Sequence, residues 1–75
     1  MKRMEAHVKL SARNMIKGRV TEIRKGATTA HVRLDIGAKT ITASITNEAV
    51  DELKLGVGQE AYAVVKASDV MIAID

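Results

Sequence analysis

Thr29-Ala30-His31-Val32-Arg33-Leu34-Asp35-Ile36 is the stretch that decides the fold. Ala30, Val32, Leu34 and Ile36 fall on one side of an extended chain, and Thr29, His31, Arg33 and Asp35 fall on the other. That period of two fits a strand with one face in a core and one in water, and does not fit a helix. On its N-terminal side, Lys25-Gly26-Ala27-Thr28 reads as a turn in which Gly26 can take positive φ without steric cost. Before the turn, Asn14 to Arg24 alternates through Ile16, Gly18 and Val20, but Ile23 falls out of phase. A bulge near Thr21 would resolve the mismatch, and Gly18 inside the strand points the same way. Val8 to Leu10 permits a further short strand, while residues 1–7 show no periodicity and read as an N-terminal extension of a domain spanning 8–75.

On the C-terminal side, Ile36-Gly37-Ala38-Lys39 turns the chain into a third strand, Thr40 to Ile45. Here Ile41, Ala43 and Ile45 point inward against Thr40, Thr42, Ser44 and Thr46. Thr46 or Asn47 can cap a short helix whose first turns carry Glu48, Asp51 and Glu52, acids that complement the positive end of the helix dipole. Val50, Leu53 and Leu55 give it an apolar side, and Gly56 and Gly58 are expected to end it. Gln59 to Lys66 alternates Ala61, Ala63 and Val65 against Tyr62, Val64 and Lys66, a strand expected to be buried on both faces. After Ala67-Ser68-Asp69, a last strand is expected through Val70, Ile72 and Ile74. The pattern predicts an all-β domain: a small five-stranded OB-like barrel with one short helix before the last two strands. Side chains fill the inside of so small a barrel, so a ligand must sit on its rim, on its outer face or between copies.

Seventy-five residues make one domain with a modest core. The chain has no cysteine, which removes disulfides and thiolate metal sites as reinforcement. Residues of hydrophobic type make up 47% of the chain, yet Tyr62 is its one aromatic, so the apolar surface is spread over small aliphatic side chains and some of it is expected to face another subunit. No apolar run reaches the length of a membrane span, and the start Met1-Lys2-Arg3-Met4-Glu5-Ala6-His7 lacks the apolar stretch of a signal peptide. Both observations predict a cytoplasmic protein without a membrane partner. Twelve Lys and Arg stand against nine Asp and Glu, a formal net charge of +3 that mildly favours anionic partners and equally describes a solvated surface.

Enzymatic chemistry finds little support in these residues. His7 lies in the extension, and His31 sits on a polar strand face with no acid pair of its own. Asp51 and Glu52 are adjacent on the helix and face different directions. Two other clusters carry more meaning. Ser11-Ala12-Arg13-Asn14 places hydroxyl, guanidinium and amide groups beside free backbone N–H groups, and Lys66-Ala67-Ser68-Asp69 again offers a cation and a hydroxyl next to small residues. Ser11-Ala12-Arg13-Asn14 by itself reads more readily as a solvated turn, since small polar residues before a strand usually form one. As a pair the two clusters form a donor-only inventory: Ser11, Arg13, Lys66 and Ser68 suit an unprotonated tetrahedral dianion, which only accepts hydrogen bonds. A protonated anion such as hydrogen phosphate would find no acceptor there. An OB barrel binding single-stranded nucleic acid is the alternative, but base stacking would rest on Tyr62 alone, so nucleic acid is not the expected partner.

At these residues the chain resembles the molbindins, the stand-alone Mop form of the TOBE domain. The likeness runs over residues 8–72 and is carried by Ser11-Ala12-Arg13-Asn14, Gly18, Gly26-Ala27, Ile41-Thr42-Ala43-Ser44-Ile45-Thr46-Asn47-Glu48 and Ala63-Val64-Val65-Lys66-Ala67-Ser68-Asp69-Val70-Met71. The resemblance implies a cytoplasmic store or buffer that binds molybdate, and usually tungstate, without catalysis. It further implies a homo-oligomer, a hexamer built as a trimer of dimers, with the oxyanion held between subunits. Carried over by position, the ligand groups fall on Ser11, Ala12, Arg13 and Asn14 from one subunit and on Lys66, Ala67 and Ser68 from another, with Thr42 and Ser44 as weaker candidates. The extension at residues 1–7 departs from the many stand-alone members that begin close to the first motif.

Overall fold

The computed structural model describes residues 14–75; the expected strand at Val8–Leu10 and the residues Ser11, Ala12 and Arg13 lie outside them. Four strands follow the alternation closely: β1 (Asn14–Lys25), β2 (Thr29–Asp35), β3 (Thr40–Thr46) and β4 (Glu60–Val65). One helix, α1 (Asn47–Leu53), separates β3 from β4. The strands form one antiparallel sheet in the order β3-β2-β1-β4, curled into a half-barrel. Antiparallel neighbours joined by short turns account for the first three strands, and the crossover through α1 carries the chain past the sheet so that β4 pairs with β1.

The core is small and lies on the concave side. Val20, Ala30, Val32, Leu34, Val50 and Ala63 are buried, with Ile16, Ile23, Ile36, Ile41, Ile45, Leu55 and Ala61 packed against them. Each fully buried Val or Leu is worth roughly 1.5–3 kcal/mol relative to leaving it in water. The register of β1 on β2 shifts between Val20 and Glu22, which is the bulge expected near Thr21. Its effect is to return Ile23 to the inner face opposite Val32, so one extra residue rescues an apolar side chain that strict alternation would have exposed. Gly18 stands where β1 passes close to the β2 end: a Cβ there would lie 2.9 Å from the Asp35 carbonyl oxygen and 3.0 Å from Ile36 Cγ2.

Thr46 caps α1, its hydroxyl accepting from Ala49 N–H at 3.0 Å. Asn47 ties the helix start to the β1–β2 turn: its N–H donates to Thr28 O at 2.9 Å and its Nδ2 to Gly26 O at 3.0 Å. The helix end differs from expectation. It stops at Lys54, which takes the left-handed conformation (φ 53°, ψ 46°), before either glycine is reached. Lys54 N–H donates to Asp51 O and Leu55 N–H to Val50 O, each at 3.1 Å, so the last carbonyls are already satisfied and Gly56 is not needed as the cap. Gly26 does not take positive φ either; Gly37 (118°) and Gly58 (93°) do.

Two further expectations are corrected. Among the described residues β4 is an edge strand with nothing packed over its outer face, and Tyr62 is 50% and Val64 42% exposed rather than buried. The fifth strand is absent among the described residues. Beyond a single 3-10 turn at Ala67–Asp69 the chain from Val70 to Asp75 pairs with no strand, and Met71, Ile72 and Ile74 are 91%, 87% and 93% exposed. Alternation alone cannot make a strand; a free sheet edge must lie within reach to take its hydrogen bonds.

Candidate functional site

The last residue of β4 and the first of β1 are register partners, Val65 opposite Asn14. This pairing sets Asn14, the final residue of the first polar cluster, beside Lys66-Ala67-Ser68, the second cluster, although they are about fifty positions apart in the chain. The two strands are held in this register over six pairs, from Asn14–Val65 to Arg19–Glu60. Asn14 adds its own link: Nδ2 donates to Val65 O at 3.1 Å in a half-buried setting.

Past Val65, Lys66 is extended (φ −65°, ψ 134°) and the chain then tightens into the 3-10 turn. Asp69 N–H donates to Lys66 O at 2.8 Å and Val70 N–H to Ala67 O at 3.3 Å. The turn therefore spends its later N–H groups internally, and the first ones, on Ala67 and Ser68, have no partner within it. Lys66 and Ser68 are exposed and make no side-chain hydrogen bond or ion pair among the described residues. The corner accordingly offers an ammonium, a hydroxyl and backbone donors, groups suited to a ligand that only accepts.

Thr42 and Ser44 are somewhere else. They lie on the outer face of β3, with Thr42 opposite Arg33 and Ser44 opposite His31 across the β2 pairing, and two strands separate β3 from β4. Within one chain they do not join Asn14 and Lys66. Thr42 borders instead a shallow hollow of about 70 Å³, lined also by Glu22, Arg24, His31 and Arg33. Glu22 sits between both guanidiniums, with Oε2 3.0 Å from Arg24 and Oε1 3.6 Å from Arg33. This cluster escapes a reading of the sequence because the bulge at Thr21 shifts which β1 side chains share a face with β2. Among the described residues there is no group of three or more His, Cys, Asp or Glu that could hold a metal ion, and no helix long and apolar enough to cross a membrane.

The TOBE domain model matches residues 10–72, most of the chain. The chain belongs to the TOBE domain family. Within it, this TOBE domain is of the molbindin type, as its likeness to stand-alone relatives shows. It is 45% identical over 69 residues to the probable molybdenum-pterin-binding protein of Haemophilus influenzae, a match covering 91% of this chain and 100% of that relative. Its fold is similar to that of a molybdate-binding protein from Sporomusa ovata, with a TM-score of 0.86 at 33% identity over 89% of this chain and 100% of the other. It is also similar to ModG, a cytoplasmic molybdate-binding protein solved with molybdate bound, with a TM-score of 0.82 and 43% identity over 91% of this TOBE domain and 49% of ModG. These relatives bear the names of binding proteins.

Proposed function

We propose that this TOBE domain binds molybdate, and tungstate by the same chemistry, as a non-covalent oxyanion store in the cytoplasm. The observation that carries the reading is the Asn14–Val65 pairing, which sets Asn14, the last residue of the first donor cluster, beside the Lys66-Ala67-Ser68 cluster. Ser11, Ala12, Arg13 and Asn14 supply hydroxyl, guanidinium and backbone N–H donors, and Lys66, Ala67 and Ser68 supply an ammonium, a second hydroxyl and further N–H groups. A ligand set made only of donors favours a fully deprotonated tetrahedral ion over one that keeps a proton. The names of two solved relatives that match about nine-tenths of the chain support molybdate as that ion.

The ion lies between subunits in this reading, in a hexamer arranged as a trimer of dimers. Support comes from the apolar surface that the described residues leave open. The Val70–Ile74 segment, alternating Val70, Ile72 and Ile74, is exposed, and the concave side retains an open apolar hollow of about 340 Å³ lined in part by Leu34, Ala43, Ile45, Leu53 and Leu55. Contact between copies would cover both, complete the five-stranded barrel and let a corner of one chain face that of another. Thr42 and Ser44 then reach an ion only from a neighbouring copy. Residues 8–75 form the binding unit, with 1–7 as an extension to it.

Native mass spectrometry with and without molybdate tests subunit number and ion stoichiometry together. A hexamer that takes up molybdate in whole-number steps is the expected outcome. A monomer that takes up none removes the proposal. Binding of single-stranded oligonucleotide, retained at physiological salt, would instead favour the nucleic-acid alternative, which rests on Tyr62 and its β1 neighbour Lys17.

A further inference from the structure

We infer that the side chain of Asn14 acts as a strut that positions Lys66 and the turn after it, and is not itself a ligand group for the ion. The inference rests on the oxyanion reading above and deepens it. Asn14 is the first residue of β1 and Val65 the last of β4, so their pair is the outermost rung of that ladder and has no further rung among the described residues to hold it closed. Rungs at strand ends fray unless something else ties them. Here the tie is the side chain: Nδ2 donates to Val65 O at 3.1 Å, half shielded from water. The peptide group that contains Val65 O also contains the N–H of Lys66, so fixing that carbonyl fixes the orientation of the peptide plane from which Lys66 departs.

The 3-10 turn hangs from the same point. Asp69 N–H closes it on Lys66 O at 2.8 Å, so the direction of Ala67 and Ser68 follows from that of Lys66. Only an amide fulfils the task at this position without penalty. A carboxylate of the same shape would set a charged acceptor against a carbonyl oxygen, and an alanine would leave the rung to the backbone alone. The strut therefore works before any ion arrives, holding donors in place so that binding does not have to order them.

The test is a double-mutant cycle read by titration calorimetry with sodium molybdate on the full chain: wild type, Asn14→Ala, Lys66→Ala and the double variant. Asn14→Ala should weaken binding about tenfold, and the same change made on top of Lys66→Ala should cost clearly less, because the strut then has less to position. Asn14→Asp should bind no better than Asn14→Ala. Equal losses in both backgrounds, or an Asn14→Asp variant that binds like wild type, overturn the inference. Hydrogen exchange on the ion-free proteins separates this from the oxyanion reading itself. If wild type binds no molybdate but Asn14→Ala still exposes the amides from Lys66 to Val70 to faster exchange, the strut stands and the proposed ligand falls; unchanged exchange sinks the strut whatever the ion does.

Discussion

Lys66 and Ser11 are the side chains on which the proposed ion would depend most directly, one as a point charge and one as a neutral donor. Replacing either by alanine should weaken molybdate binding by about 1.5–3 kcal/mol, the usual worth of a hydrogen bond to a charged group, while the far-ultraviolet circular dichroism of the fold stays unchanged. Unaltered affinity in calorimetric titration of both variants would rule out this corner as the site. Gly18 carries the opposite expectation. Its Gly18→Ala variant should lose stability, by about 1–3 kcal/mol in urea unfolding, because the new methyl meets the Asp35 carbonyl oxygen at 2.9 Å, and backbone cannot move aside as a flexible side-chain tip can. Residue types told much at this scale: the donors in both clusters could be named before any geometry was known. The partnership of Glu22 with Arg24 and Arg33 could not, because it depends on a shift in register.

At the scale of elements, α1 shows how local chemistry sets a boundary. Thr46 is the cap because its hydroxyl reaches Ala49 N–H, and Thr46→Ala should cost about 1 kcal/mol in thermal or urea unfolding. Lys54 closes the other end in a left-handed conformation that a side chain adopts only at a cost. Lys54→Gly should therefore hold or raise stability, by up to about 1 kcal/mol, since the relief of that strain outweighs the added freedom of glycine in the unfolded chain. A clear loss of stability in this variant would mean that the lysine side chain contributes something the backbone geometry does not reveal. The start of the helix was legible from Thr46 and its following acids. Its end was not, because hydrogen bonds from Lys54 and Leu55 back to Asp51 and Val50 complete it two residues before Gly56.

For the whole molecule, the decisive feature is apolar surface that the described residues leave uncovered. Among the described residues six buried side chains form the core, whereas Ile72 and Ile74 are almost fully exposed and the concave side of the sheet stays open. In the proposed assembly, copies of this 75-residue chain cover that area. The paired change Ile72→Asp and Ile74→Asp should leave β1–β4 paired but break the assembly, seen as a fall in subunit number by native mass spectrometry and a loss of molybdate uptake with it. An assembly that survives both charges would show that the copies meet elsewhere.

By itself the sequence determined the four strands, the bulge near Thr21, the capped helix and the two donor clusters, because each follows from side-chain period or residue chemistry within a dozen neighbours. Only tertiary structure decided that β4 would lie against the start of β1, bringing Asn14 to Val65 across the length of the chain, and that β4 would be an edge. It also decided that Val70–Ile74, despite a strand's alternation, would find no partner among the described residues. The physical reason is that alternation states which face of a strand is apolar but not which edge will accept its hydrogen bonds; that choice is made by the path of the rest of the chain, and by whatever copy lies beside it.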